Sequence, residues 1–198
     1  GDAAVMKTLF VQEMLKRERR MRMAAQRRST TDVLTHLMSR RAFAMEGKSL
    51  FKRAMTGRES AAFFFIDLNF FKQVNDDFGH AVGDELLTAT ANVLKNNKRP
   101  SDLAGRFGGD EFVLFLTNVD ETGARIVAMR MIEAVAAIRL PQHQQLRPSI
   151  SVGVAVGIIP LKVKWTDLQK QADHAMYEAK KMRGMEQPTL CIKPIVES

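Results

Sequence analysis

An α+β domain with a mostly antiparallel central sheet flanked by helices, preceded by a basic N-terminal helix, is the fold class this 198-residue sequence predicts. Three patterns point there. The apolar run Ala61 to Ile66 reads as a fully buried strand and ends on Asp67. Two short apolar runs meet at Gly108-Gly109, a hairpin signal because glycine takes positive φ at little cost. Ile150, Val152, Val154 and Val156 alternate with small residues, as in a central strand. With helical periodicities between them, the order strand, helix, hairpin, helix, strand, helix is that of an α+β sandwich.

Composition bounds the function classes. A hydrophobic content of 45% supports a sizeable core. No apolar run approaches a membrane span and no leader resembles a secretion signal, so a soluble, cytoplasmic domain is expected. The single Cys191 excludes an internal disulfide and fits a reducing compartment. The net charge of +8 is concentrated, because residues 1–30 hold eight Lys or Arg against three acids. That distribution argues against a nucleic-acid polymer as partner.

From Ala3 to Arg28 there is no Gly or Pro, and strong helix formers dominate, which predicts a helix. Met14, Met21 and Ala24 lie on a thin heptad seam that Arg17 and Arg28 interrupt, leaving a pairing helix or a solvated basic linker as readings. Its poor apolar face, with Phe10 as the sole aromatic, disfavours a membrane-surface role. Residues 1–30 are read as this helix, 31–193 as the main domain and 194–198 as a tail.

Within the domain, Ser29 to Asp32 break the helix, and Ser39 is expected to cap a helix from about Arg40 to Met55. Strand 61–67 follows, then a helical turn and loop over 70–78. A helix over 80–96 should bury Val82, Leu86, Ala89 and Val93. Beyond the hairpin, residues 121–139 place Ala128, Met131, Ile132, Val135 and Ile138 on one helical face. Thr166 is expected to cap a last helix whose Leu168, Ala172, Ala175, Met176 and Ala179 point inward. Trp165 and Tyr177 read as packing residues, and His143 and His174, lacking metal-ligand companions, as structural or exposed.

Chemistry concentrates at the hairpin. Asp110 and Glu111 at its tip would alone read either as a solvated turn or as part of a metal site. Asp67, at the end of a buried strand, can lie at the same sheet edge and complete a set of hard oxygen ligands. Such ligands suit Mg²⁺, which usually completes its shell with substrate phosphates, so phosphoryl or nucleotidyl transfer is the leading reaction class.

The run Gly108-Gly109-Asp110-Glu111-Phe112 resembles the signature of the GGDEF family of diguanylate cyclases, and the resemblance covers about residues 29–193. Collinear matches accompany it: Asp32 to Thr35, Arg40 to Phe43, Asp67 to Asp76, Gly79-His80 with Gly83-Asp84, Ser151 to Val154, and Ala172 to Lys180. The resemblance implies a ferredoxin-like palm, as in adenylyl cyclases and polymerases. It also implies condensation of two GTP to cyclic di-GMP and two pyrophosphates by a homodimer, with Mg²⁺ or Mn²⁺ as cofactor. The N-terminal helix would then be a signalling helix that pairs two domains and joins them to an upstream sensor.

By the same resemblance Asp67, Asp110 and Glu111 are metal ligands with the Leu68 carbonyl, and Glu111 or Asp110 serves catalysis. Asn75 and Asp84 match guanine contacts; an Asp carboxylate facing guanine N–H groups would be left unpaired against adenine. Lys72 and Lys180 match phosphate-neutralising positions, and Phe71, His80, Leu87, Gly108 and Gly109 complete the substrate-binding set. Arg99-x-x-Asp102 matches the spacing of the family's product-inhibition site.

There are departures from the pattern. His36 stands where the family has Gly in Leu-Thr-Gly-Leu, Ser39 where it has Asn, and Asn69 where a second Asp is frequent. After Lys180 the family continues Gly-Arg-Asn, whereas this chain reads Lys181-Met182-Arg183-Gly184. Arg183 either reaches the β- and γ-phosphates from a shifted backbone or the contact is lost. The rival readings are a catalytically silent receptor for cyclic di-GMP or GTP and a cyclase making a mixed or mononucleotide product.

Overall fold

The computed structural model describes residues 2–185 and 188–197, so Gly1, and Ser198 at the end of the expected tail, lie outside the described residues. The chain divides into two compact units, Gly1–Thr30 and Thr31–Ser198. The first is helix α1 (Asp2–Arg28). Val5, Leu9, Phe10, Met14 and Met21 are all exposed on it.

The second unit runs β1 (Met38–Ser39), α2 (Arg40–Gly57), β2 (Ser60–Leu68), α3 (Phe71–Phe78), α4 (His80–Asn96), β3 (Leu103–Gly108), β4 (Glu111–Thr117), α5 (Glu121–Ala136), β5 (Ile150–Ile158), α6 (Trp165–Lys180) and β6 (Leu190–Pro194). These strands form one sheet in the order β1-β3-β4-β2-β5-β6. The four central strands pair antiparallel, while β1 on β3 and β6 on β5 are parallel. The sheet is therefore mixed, an antiparallel centre with parallel edges.

The buried strand works as its sequence suggests. Successive side chains of β2 point to opposite faces. Phe64, Ile66 and Leu68 join the core beneath α4 and α5, and Phe63 and Phe65 join the core with Trp165, Leu168 and Ala172 of α6. The period of two carries Asp67 to the α6 face, and Glu111 on β4 is its cross-strand partner. A close approach aligns α6 with that edge. A Cβ on Gly153 would lie 1.9 Å from the Met176 backbone nitrogen and 2.4 Å from the Ala172 carbonyl oxygen, so only glycine lets the helix backbone sit on β5 here.

Several expectations need adjustment. The last helix starts at Trp165 with Lys164 in the cap position, not Thr166, and the Lys164 amide donates to the Asp167 carboxylate at 2.9 Å. In α4 Val82 and Leu86 are buried as expected, the stripe extends over Gly83, Leu87, Thr90, Ala91 and Leu94, and Ala89 and Val93 are half-buried at its margin, Val93 packed against the core. Tyr177 is 60% exposed with the Lys181 ammonium over its ring, so it is a surface residue rather than a packing one. Trp165 does pack, with Phe43, Phe51, Phe63 and Phe115 around it. Ser39 caps α2, accepting from the Ala42 amide at 3.2 Å. His36 takes φ 56°, the left-handed conformation for which a family Gly would be better suited. Packing continues past residue 193: the Ile195 side chain is buried and its amide donates to the Val156 carbonyl. No helix among the described residues is long and apolar enough to cross a membrane.

Candidate active site

The edge at which β2 and β4 meet the hairpin gathers the carboxylates. Asp67 and Glu111 are directly opposed, and the Leu68 amide donates to the Asp110 carbonyl at 3.2 Å, holding the tip against β2. Gly108 and Gly109 make the turn with φ 138° and 50°, which a side chain would resist. No Cβ at either glycine would meet a neighbour within 4 Å, so the backbone there is open to a ligand. Lys180, brought in by the last turn of α6, donates to Asp67 at 2.9 Å.

Electrostatics mark the cluster as cation-seeking. Burial pushes the Asp67 carboxyl above its usual range, and the charge of Asp110 adds to this against the opposing pull of Lys180 and Arg183. Burial also raises Glu111, with Asp67, Asp110 and Asp173 adding their repulsion. Carboxylates so placed are destabilised as anions unless positive charge joins them. Among the described residues no group of three His, Cys, Asp or Glu side chains is placed to hold a metal ion. Magnesium is usually held by one or two carboxylates and finishes its shell with phosphates and water. Asp67 and Asp110, whose charges repel each other, are with the nearby Leu68 carbonyl the oxygen donors that an ion of this kind would use, phosphate and water filling its other positions.

A second cluster lies where α3 packs on α4. The Asn75 side-chain oxygen is buried without a hydrogen-bond partner among the described residues. It lies over Gly83, where an added Cβ would come within 1.9 Å of it, and the Phe71 ring would be 3.2 Å away. Asp84, next in the chain, is exposed. A buried acceptor without a donor is costly, and here it adjoins a carboxylate open to solvent.

Other expected residues stand apart. Lys72 is exposed and pairs with Asp76 at 3.2 Å. His80 is exposed at the start of α4, and Leu87 is buried in the core. Asn69 is bound to β5, its amide donating to Ser149 Oγ at 3.0 Å and its oxygen accepting from Ser151 Oγ at 2.6 Å, so its side chain serves the fold.

Arg99 and Asp102 meet in a tight turn at a groove of about 800 Å³ that Ser60, Asn118, Asp120 and Arg130 also line. Arg99 donates to Asp102 from its backbone amide at 2.8 Å and from its side chain at 3.1 and 3.2 Å, and to the Thr117 carbonyl at 2.6 Å. The Asp102 carboxylate is buried, while half of the Arg99 side chain stays exposed.

Residues without an assigned role in the sequence also shape the site. Arg106 donates to the Gly109 carbonyl at 2.7 and 3.0 Å and pairs with Asp32, which also accepts from the Thr35 amide and hydroxyl. Asp173 adds negative charge near Glu111. Phe70 stacks with Arg183. All three lie in collinear matches to the family or beside its signature, which gave them no role of their own.

A family profile described as diguanylate cyclase, GGDEF domain, matches residues 29–186. The chain belongs to the GGDEF domain family. It is 36% identical over 153 residues to the probable diguanylate cyclase DgcC of Escherichia coli K12, covering 77% of this chain and 41% of that one. It is 33% identical over 156 residues to diguanylate cyclase A of Treponema denticola, covering 77% and 42%. The isolated GGDEF domain of TpbB (YfiN) from Pseudomonas aeruginosa superposes with a TM-score of 0.73 at 32% identity, over 83% of this chain and 93% of that one. The chain thus spans under half the length of these two curated relatives.

Proposed function

We propose that this GGDEF domain is a diguanylate cyclase that joins two GTP into cyclic di-GMP, with release of two pyrophosphates. The observation that carries the reading is the opposition of Asp67 and Glu111 beside Asp110 and Lys180 at one sheet edge. Asp67 and Asp110, with the Leu68 carbonyl, would hold a Mg²⁺ or Mn²⁺ ion. Such an ion supplies charge stabilisation at the triphosphate and lowers the barrier to displacement at the α-phosphorus.

The chain's own residues supply the rest. Glu111, whose proton affinity is raised, is suited to take the proton of the ribose 3′-hydroxyl. That oxygen bonds to the α-phosphorus of the opposite GTP as the bond to pyrophosphate breaks. Lys180 neutralises phosphate charge, and Lys72, exposed and paired with Asp76 at the surface, joins it. Asn75 and Asp84 read guanine: the unpartnered Asn75 oxygen awaits a donor, and Asp84 accepts from the guanine N–H edge. Each domain holds one GTP, so closing the ring needs two copies, and α1 presents exposed apolar side chains for pairing them. Arg99 and Asp102 form the site at which cyclic di-GMP inhibits. We place the domain in the cytoplasm, where GTP is available.

Incubation with GTP and Mg²⁺ against equimolar ATP tests the reading. Release of one pyrophosphate per GTP consumed, with no turnover of ATP, is expected. Binding of cyclic di-GMP without any pyrophosphate release would favour the silent receptor.

A further inference from the structure

The loop after α6 returns Arg183 to the segment just beyond Asp67. Arg183 Nε donates to the Lys180 carbonyl at 3.0 Å, and the guanidinium lies 5.1 Å from the centroid of the Phe70 ring. Phe70 is unusual in two respects: it is 57% exposed, and it enters α3 with φ 57° and ψ 27°. A bulky aromatic is seldom left-handed, and a ring in water gains little from burial. Its neighbours in the chain have other duties, with Asn69 tied to β5 and Phe71 packed at α3. The distinctive contact of the Phe70 ring is the arginine.

That contact has a chemical consequence. Stacking engages the face of a guanidinium and leaves its edge donors free, whereas an ion pair would occupy them. Among the described residues no carboxylate lies within ion-pair distance of Arg183, and its terminal amino groups make no hydrogen bond. Yet its charge is felt at Asp67. An arginine fork stacked on a ring, unpaired and one turn from Lys180 suits bidentate recognition of phosphate oxygens.

We propose that Phe70 is a positioning residue: its ring holds the Arg183 guanidinium beside Lys180 to grip the polyphosphate tail of the bound nucleotide. The shifted arginine thereby keeps a phosphate contact from its new place in the chain. This rests on the reading of the site as a GTP site.

The test is calorimetric binding, to the full chain with Mg²⁺, of a GTP analogue carrying a methylene bridge between the α- and β-phosphates, with GMP as the comparison ligand. Phe70→Ala and Phe70→Asn should weaken the triphosphate analogue about three- to tenfold, the scale of a lost cation–π contact, and leave GMP within about twofold. Asn tolerates the left-handed backbone, so its variant separates ring from conformation. Phe70→Tyr should retain parental affinity. Arg183→Ala should lose as much as Phe70→Ala, and the double variant no more than either, because the two act as one unit. Thermal melts confirm that each variant is folded.

Parental affinity in Phe70→Asn, or an equal loss for GMP and the triphosphate, would overturn the proposal while leaving the GTP site intact. Failure of the parent chain to bind the triphosphate would overturn the GTP reading and this inference with it.

Discussion

Arg106 and Asp32, 74 residues apart, form an ion pair at 3.2 Å, and the same guanidinium holds the Gly109 carbonyl at 2.7 Å. The hairpin tip is thereby fastened to the segment that follows α1 in the chain. Arg106→Met removes both attachments. Steady-state assays should show kcat lower by about ten- to a hundredfold, since misplacement of catalytic groups by about an ångström can cost about a hundredfold. A smaller change would mean that the Leu68–Asp110 hydrogen bond holds the tip by itself.

The same pair has a pH signature. Burial works to raise the Asp32 carboxyl, but hydrogen bonds from Thr35 and the charge and hydrogen bonds of Arg106 outweigh it, and it lies below its ordinary 3.8. A depressed carboxyl stabilises the fold above its unfolded value and loses that contribution as pH falls through its folded value. Asp32→Asn should therefore lower the urea midpoint at pH 7, with the gap from the parent closing only as pH drops below about 3.8. A gap that already closes near pH 6 would contradict the assignment.

Glu111→Gln should trade activity for stability. The carboxylate is disfavoured by burial and by three acidic neighbours, so the neutral isostere relieves repulsion. In a metal-free buffer at pH 7 the melting temperature should rise by up to a few degrees, discounted for solvent screening, while turnover of GTP falls below about one thousandth of the parent. A lower melting temperature would show that Glu111 has a structural partner.

Gly83→Ala places a methyl where the Asn75 amide lies, with only 1.9 Å between them. The side chain must leave. We expect KM for GTP to rise about tenfold, the cost of a lost polar contact to the base, with discrimination against ATP reduced. An unchanged KM would remove Asn75 from guanine recognition.

Arg99 and Asp102 should separate in their effects. Arg99→Ala should raise the cyclic di-GMP concentration for half-inhibition at least about tenfold, measured against its own uninhibited rate. Asp102→Ala also strips a buried carboxylate of its turn and should cost about 1–3 kcal/mol of stability, visible in urea melts. Equal inhibition of the parent and Arg99→Ala would place the inhibitory site elsewhere.

Much of this was legible because strong local patterns coincide. The buried run before Asp67 and the Gly108-Gly109 step locate the two strands whose pairing sets Asp67 opposite Glu111. Edge elements were less visible. β1 is two residues long, and β6 ends on Lys193-Pro194, which reads as a strand breaker although a parallel edge strand tolerates proline at its end. The α4 stripe is wider than its apolar pattern suggests because Thr90, a polar residue, is fully buried with its hydroxyl bonded to the Leu86 carbonyl. Side-chain partners over long separations, such as Arg106 with Asp32 and Arg183 with Phe70, depend on tertiary placement that no spacing rule encodes.

The most direct measurement of the central claim is chromatographic product analysis after incubating the concentrated chain with GTP and Mg²⁺, beside Glu111→Gln. Cyclic di-GMP from the parent and none from the variant is the expected result. A folded parent that binds cyclic di-GMP yet yields no product would contradict it and leave a receptor in place of an enzyme.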